Sequence, residues 1–325
     1  MSKPEVTLRG RSHRPCMMFS ANLARQSNLT AYGLLTVTAL CWGANTVFAK
    51  MAVGEVSPMN LIMWRWAGVV LIAWLIAYRD VRRDWPVLKQ HLGYLAAMGA
   101  LGFTAFNALF YVAAHSTTAL NMGIVQGTIP VFVILGMFVA TRITIPPRQI
   151  LGVILTLLGV LTVALEGRFD RLSGLNFNPG DLMMITACML YAGYTVGLRN
   201  KPSVSALSWF AMLASAAFAA SIPLAVTEWA SGEHLMPSAK GWGVIALIVV
   251  FPSFLAQIFF IKGVELIGPG RSGVFVNLVP VIASCFAVLV LDEHFQWFHG
   301  ASLAMVLGGI WIAERASTAP GPIVD

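Results

Sequence analysis

The chain has 325 residues, 58% hydrophobic and only 11% charged, with a net charge of +7 at neutral pH and a mean hydropathy of +0.76. Soluble domains carry about 25% charged residues, so this surface cannot face water throughout, and its apolar residues fall in blocks of roughly 20, enough to cross a hydrocarbon layer about 30 Å thick. An all-α integral membrane protein follows, which excludes a transmembrane barrel with its alternating segments about ten residues long and, with no basic helix or stacking platform present, a nucleic-acid partner.

Residues 1–29 are polar and basic (Lys3, Arg9, Arg11, Arg14, Arg25) and read as a disordered cytoplasmic tail, in which Met17 and Met18 offer alternative starts. The apolar run that follows is long enough to stay in the membrane as a first span rather than leave as a cleaved signal. Five spans are drawn in the first half: Thr30–Ala49, Pro58–Tyr78, Leu92–Ala113, Thr118–Ala140 and Gln149–Leu165. A polar connector over 166–180 leads to five more: Asp181–Leu198, Ala206–Val226, Trp242–Ile261, Ser272–Leu291 and Trp297–Ala313, before a tail over 316–325. Lys and Arg on alternate sides number 16 against 4, with Arg65 inside a span. The excess marks the cytoplasmic side and places both termini there, consistent with an even number of spans.

Cys41-Trp42-Gly43-Ala44-Asn45-Thr46-Val47, running to Lys50, is echoed 149 positions later by Leu190-Tyr191-Ala192-Gly193-Tyr194-Thr195-Val196, running to Arg199. At an offset of 150, Asn107 falls on Gln257, Gly123 on Gly273 and Pro130 on Pro280. The chain therefore divides into repeats over 30–165 and 181–315. Five spans per repeat is an odd number, so the second half enters the membrane inverted, as in many secondary transporters.

Trp42-Gly43-Ala44-Asn45 with Lys50, Ser57-Pro58 and Arg65 resembles the opening signature of the EamA-type ten-span permeases of the drug/metabolite transporter superfamily. Gly123–Pro130 and Gly273–Pro280 resemble that family's fourth and ninth spans, and Leu291-Asp292-Glu293-His294 resembles its acidic turn. In the first half the turn carries Ala140-Thr141-Arg142 instead, so no acidic role passes to it. The resemblance covers roughly residues 30 to 315 and implies a secondary permease, export being the commoner direction, in a bacterial-type inner membrane.

Several residues are candidates for contact with a small-molecule solute. Arg65 lies seven residues, about 10 Å of helix rise, inside the second span. A central arginine costs at least about 2.5–3.5 kcal/mol to insert, so it should face a cavity or a partner. It would anchor an anionic group or serve in an outer gate; otherwise it bonds helix carbonyls. The intramembrane amides Asn45, Asn107, Gln126, Gln257 and Asn277 either line a passage or join helices. Trp42, Tyr191 and Tyr194 read as facing aromatic walls, or as packing. Pro130 and Pro280 read as paired hinges or static kinks. Gly123-x-x-x-Gly127 and Gly193-x-x-x-Gly197 permit close helix approach, within the bundle or in a homodimer. Glu265 and Glu293 read as solvated span ends, and His115 and His299 as hydrated loop histidines.

No Asp or Glu is placed deep in a span, no phosphate loop is present, and Cys16, Cys41, Cys188 and Cys285 lack metal-ligand spacing. No catalytic residues, cofactor or metal are therefore assigned. The reading is a non-enzymatic permease of a small organic solute; an intramembrane enzyme on a lipid-linked substrate and a transport-inactive scaffold or sensor are the alternatives.

Overall fold

A computed structural model describes residues 14–142, 146–168, 178–267 and 275–317. The expected tail over 1–13, most of the connector and the last residues lie outside the described part. Apolar sequence in lipid must satisfy its own backbone, which leaves helix as the available spanning element here, and no strand occurs among the described residues.

Helix α1 is Arg14–Ala52. It starts well ahead of the boundary expected at Thr30, because Cys16–Tyr32 contains neither glycine nor proline and Pro15 is tolerated in a first turn. Helix α2 is Pro58–Leu88. A 3₁₀ turn at Lys89–His91 then leads to a third crossing built from α3 (Leu92–Gly99), a π-helical stretch at Ala100–Ala105 and α4 (Phe106–Ala113). The chain doubles back at this turn, since Arg65 in α2 reaches Asn107 and Tyr111 in α4. The fourth crossing is α5 (Ala119–Gln126), a turn at Gly127-Thr128 and α6 (Ile129–Thr141). Helix α7 (Pro147–Ala164) closes the first half.

The second half repeats the plan. It comprises α8 (Pro179–Gly197) and α9 (Ala206–Ala230), then α10 (Ala239–Ile248), a π stretch at Val249–Leu255 and α11 (Ala256–Ile267). A turn at Asn277-Leu278 precedes α12 (Val279–Leu291), and α13 is Trp297–Ser317. Seven described helices are long and apolar enough to cross a membrane, one of them the doubled-back pair Pro58–Ala113, and two further apolar helices are shorter. This is the ten-crossing, two-repeat architecture expected.

The repeat is written in the backbone as well as in the sequence. The π stretches, the turns before the prolines and the left-handed residues Arg142 (φ 58°) and Asp292 (φ 52°) recur about 150 positions apart. A π turn releases carbonyls from the helix ladder. In the second half the Ser253 hydroxyl donates to the Ile248 carbonyl at 2.6 Å, and Trp42 Nε1 donates to the Pro252 carbonyl at 3.1 Å. Pro130 and Pro280 sit just inside newly started helices, where a missing N–H costs nothing, rather than inside a continuous helix.

Carboxylates tie the halves together at helix starts, where unpaired N–H groups favour an anion. Near the end of α9, Glu228 accepts from the backbone N–H groups of Met59 (3.1 Å) and Asn60 (3.2 Å) and from the Ser57 hydroxyl (2.5 Å), capping α2. Near the end of α2, Asp84 accepts from the Ser205 N–H (2.8 Å) and the Ser208 hydroxyl (2.6 Å), capping α9 in return. Glu293, expected to be solvated, is half-buried and accepts from the N–H groups of Ala119 (2.8 Å) and Leu120 (2.9 Å) at the start of α5. His299 also departs from expectation: it is buried in the first turn of α13, where its Nδ1 accepts from the Gln296 N–H. His115 is exposed, and the Glu265 side chain lies outside the described part.

Small residues are used for packing within the chain. A Cβ on Gly123 would stand 2.6 Å from Cβ of Ala283, and Gly152 and Gly309 bring α7 and α13 backbone to backbone. Gly197 packs on Met98, whereas a Cβ on Gly193 would meet nothing within 4 Å. Cys41 and Cys188 are buried and free, and Cys285 is free and exposed.

Candidate functional site

An arginine and five amides have no partners in hydrocarbon, so the fold must bring them together or give them space. It does both. A central cavity of about 900 Å³, including its open mouth, lies between the halves where the π stretches and broken helices approach each other. Trp42, Asn45, Arg65, Asn107, Gln126, Tyr191, Gln257 and Asn277 all line it, as do Pro130 and Pro280. One expected wall residue does not. Tyr194 is buried behind Phe103, with ring centroids 5.0 Å apart, and lines a second cavity instead.

Arg65 is only 6% exposed. Its Nη1 donates to Asn107 Oδ1 and to the Tyr111 hydroxyl, each at 2.6 Å. The Tyr111 hydroxyl donates onward to Asn45 Oδ1 at 3.2 Å, and Asn107 Nδ2 donates to the Phe103 carbonyl at 2.5 Å. The guanidinium lies 5.3 Å from the Trp66 ring centroid and 5.7 Å from that of Tyr111, positions of cation–π attraction. All these partners are neutral, and Nε makes no hydrogen bond within the protein. The arrangement therefore holds the guanidinium at the cavity wall with its orientation fixed.

The remaining walls are aromatic. Trp66 stacks on Phe103 at 4.9 Å with the rings 5° from parallel, and Phe106 packs on Tyr191 at 5.2 Å. Trp66, Phe103, Phe106, Phe210 and Ser253 also line the cavity and were not singled out from sequence. Trp66 and the phenylalanines were indistinguishable in sequence from ordinary packing residues.

One buried acid also escaped the sequence reading. Asp181 opens α8 near the span end and is 1% exposed. It accepts from the Thr117 hydroxyl, with Asn121 Nδ2 at 3.5 Å, across the seam between the halves. Lys50 donates to the carbonyls of Ala114 (2.7 Å) and Thr117 (2.9 Å) close by. Among the described residues no cluster of His, Cys, Asp and Glu has the makings of a metal site.

A family model described as the EamA-like transporter family matches residues 29–165 and again 178–314, the two halves seen in the fold. The chain belongs to the EamA-like transporter family. Among curated relatives, a Bacillus subtilis (strain 168) protein named as an uncharacterized transporter, YyaM, is 27% identical over 91% of this chain and 95% of its own length. An Archaeoglobus fulgidus uncharacterized transporter is 26% identical over 88% of this chain and 97% of its own. A Chlamydia muridarum S-adenosylmethionine/S-adenosylhomocysteine transporter is 24% identical over 81% of this chain and 84% of its own. A solved crystal structure superposes with a TM-score of 0.61 at 17% identity, covering 88% of this chain and 97% of the other, a likeness of fold. The EamA-like chain is thus a multi-pass membrane protein and a transporter.

Proposed function

We propose that this transporter is a secondary permease that carries a small organic solute bearing a carboxylate or other anionic group, by alternating access of its two inverted halves. One observation carries the choice of solute: Arg65 is buried at the cavity wall and hydrogen-bonded to neutral acceptors. A desolvated cation surrounded by neutral groups gains most from a bound anion. The aromatic walls suit an apolar or ring-bearing remainder, held by Trp42, Tyr191 and the amides Asn45, Asn107, Gln126, Gln257 and Asn277. The Chlamydia relative is named for S-adenosylmethionine, which has both a carboxylate and a purine ring.

In this reading Pro130 and Pro280 mark the points at which the fourth and ninth crossings flex, one in each half. Both termini lie in the cytoplasm of an inner-membrane protein, following the excess of Lys and Arg on that side, and the solute leaves the cell. Exchange or facilitated diffusion serves as well as proton coupling for such a cycle.

Counterflow in proteoliposomes tests the proposal, with labelled amino acids, nucleobases, organic acids and S-adenosylmethionine as the panel. Saturable uptake driven by unlabelled solute inside, and confined to anion-bearing compounds, is the expected result. Uptake confined to compounds that lack a carboxylate or other anionic group would overturn the solute class, and no uptake by folded protein across the panel would overturn the permease. Repeating the assay under a pH gradient reads coupling.

A further inference from the structure

The bundle holds a second cavity, of about 750 Å³ with its mouth, between α8, α9 and α11. Tyr194, Lys201, Trp209 and Ile261 are in its walls, and Phe210 and Gln257 belong to both cavities. Lys201 sits in the short link between α8 and α9. The hollow therefore lies between that link, on the face where Lys and Arg are concentrated, and the central site, with Phe210 and Gln257 as the shared wall.

The internal repeat explains why there is space here. Shifted by 149 or 150 positions, the buried cluster Asn45, Arg65, Asn107 and Tyr111 becomes Tyr194, Ala214, Gln257 and Ile261. Three of those four line the second cavity. Where the first half fills its wall with a guanidinium, its two partners Asn107 and Tyr111, and Asn45 behind them, the second has a methyl group at Ala214 and a hollow lined by the other three counterparts. Because the halves are inverted, cluster and hollow lie toward opposite faces of the membrane. The first half is closed where the second is open.

Among the described residues that line this cavity, the charged one is Lys201. Lys201 is half-buried and its Nζ donates to the Val204 carbonyl at 2.9 Å. Asp84, the carboxylate nearby, is already engaged by the Ser205 N–H, the Ser208 hydroxyl and Arg83 at 3.0 Å.

We propose that the second cavity is the vestibule by which solute passes between the central site and the Lys201 face. Lys201 holds the solute's anionic group at the mouth, and Phe210 with Gln257 forms the neck leading to Arg65. This rests on the permease reading for its purpose, but its geometry can be tested without any transport.

Leu198 lines the vestibule, so the full chain carrying Leu198→Cys is placed in sided vesicles and treated with membrane-impermeant methanethiosulfonates. The wild-type chain, with its native cysteines, supplies the background. Modification is expected only from the Lys201 face. The anionic sulfonatoethyl reagent should react about tenfold faster than the cationic trimethylammonium reagent, relative to a free thiol. That preference should vanish when Lys201→Gln is added and return with Lys201→Arg. Modification from the opposite face, modification only by a lipid-soluble maleimide, or a preference indifferent to Lys201→Gln would overturn the vestibule. A failed transport panel beside the expected labelling would instead overturn the permease and leave the vestibule standing.

Discussion

Both halves of the molecule bend their third crossing through a π stretch and break their fourth just before a proline, yet only the first half carries charge at the cavity. Arg65 of α2 has Ala214 of α9 as its counterpart, and Tyr111 has Ile261. On the proposed permease reading, devices that shape or flex the backbone recur because a carrier that opens to two faces needs each of them twice. Groups that recognise the solute need not recur, because a small solute presents its charged end only once. On that reading, the difference between the halves separates the parts concerned with movement from those concerned with recognition.

The sharpest way to break that separation is at Arg65. Replacing it by Ala removes the donor to Asn107 and Tyr111 and the charge at the cavity wall; charged hydrogen bonds are worth about 1.5–3 kcal/mol each. Counterflow of the solute selected by the panel should fall about 100-fold or more. Arg65→Lys keeps the charge without the planar fork, and should lose roughly tenfold. Wild-type rates in a folded Arg65→Ala protein would show that the charged half plays no part in recognition.

A smaller effect sharpens the equivalence of the two backbones. Glu228→Ala and Asp84→Ala each uncap the partner helix, at a cost of about 1 kcal/mol, so they should lower the melting temperature in detergent by similar amounts. Their ends are far apart, and the double variant should show the sum. Strongly unequal costs would mean that the α2/α9 pair is symmetric in appearance only.

The smallest effect concerns a surface contact between the halves. Glu55, in the link between α1 and α2, is held below the ordinary carboxylate range, first by a hydrogen bond from the Ser238 hydroxyl and then by Lys240 at 3.0 Å. A carboxyl whose folded pKa is lowered stabilises the fold above its unfolded value and loses that contribution as pH falls through the folded one. Melting curves of Glu55→Gln and wild type should therefore differ slightly at neutral pH. The gap should narrow below about pH 4.3 and close in stronger acid. A gap that widens on acidification would reverse the sign.

Much of this was legible in the sequence because lipid is an unforgiving solvent. An arginine and five amides within apolar runs had few places to go, and Asn45, Arg65, Asn107, Gln126, Gln257 and Asn277 do meet at one cavity. Tyr194 misled, because an aromatic ring is equally at home in a wall or in the core, and Phe103 stands between it and the cavity. The caps were invisible for another reason. Ser57 and Glu228 are 171 positions apart, and only the antiparallel packing of α2 on α9 brings them together. Glu293 looked like a hydrated end, and Asp181 went unremarked, because depth along a span says nothing of what neighbouring helices cover.

Those caps have a bearing on how the protein is made. The start of α2 is finished by Glu228 and the start of α5 by Glu293, both supplied by sequence that is synthesised only after all of the first five crossings. Until then the N–H groups of Met59, Asn60, Ala119 and Leu120 lack their carboxylate partners, and at α5 only the first-half cap from Thr118 to the Asn121 N–H is available. The second half is thus the keystone of the first: it brings the carboxylates that finish two helix starts made long before it.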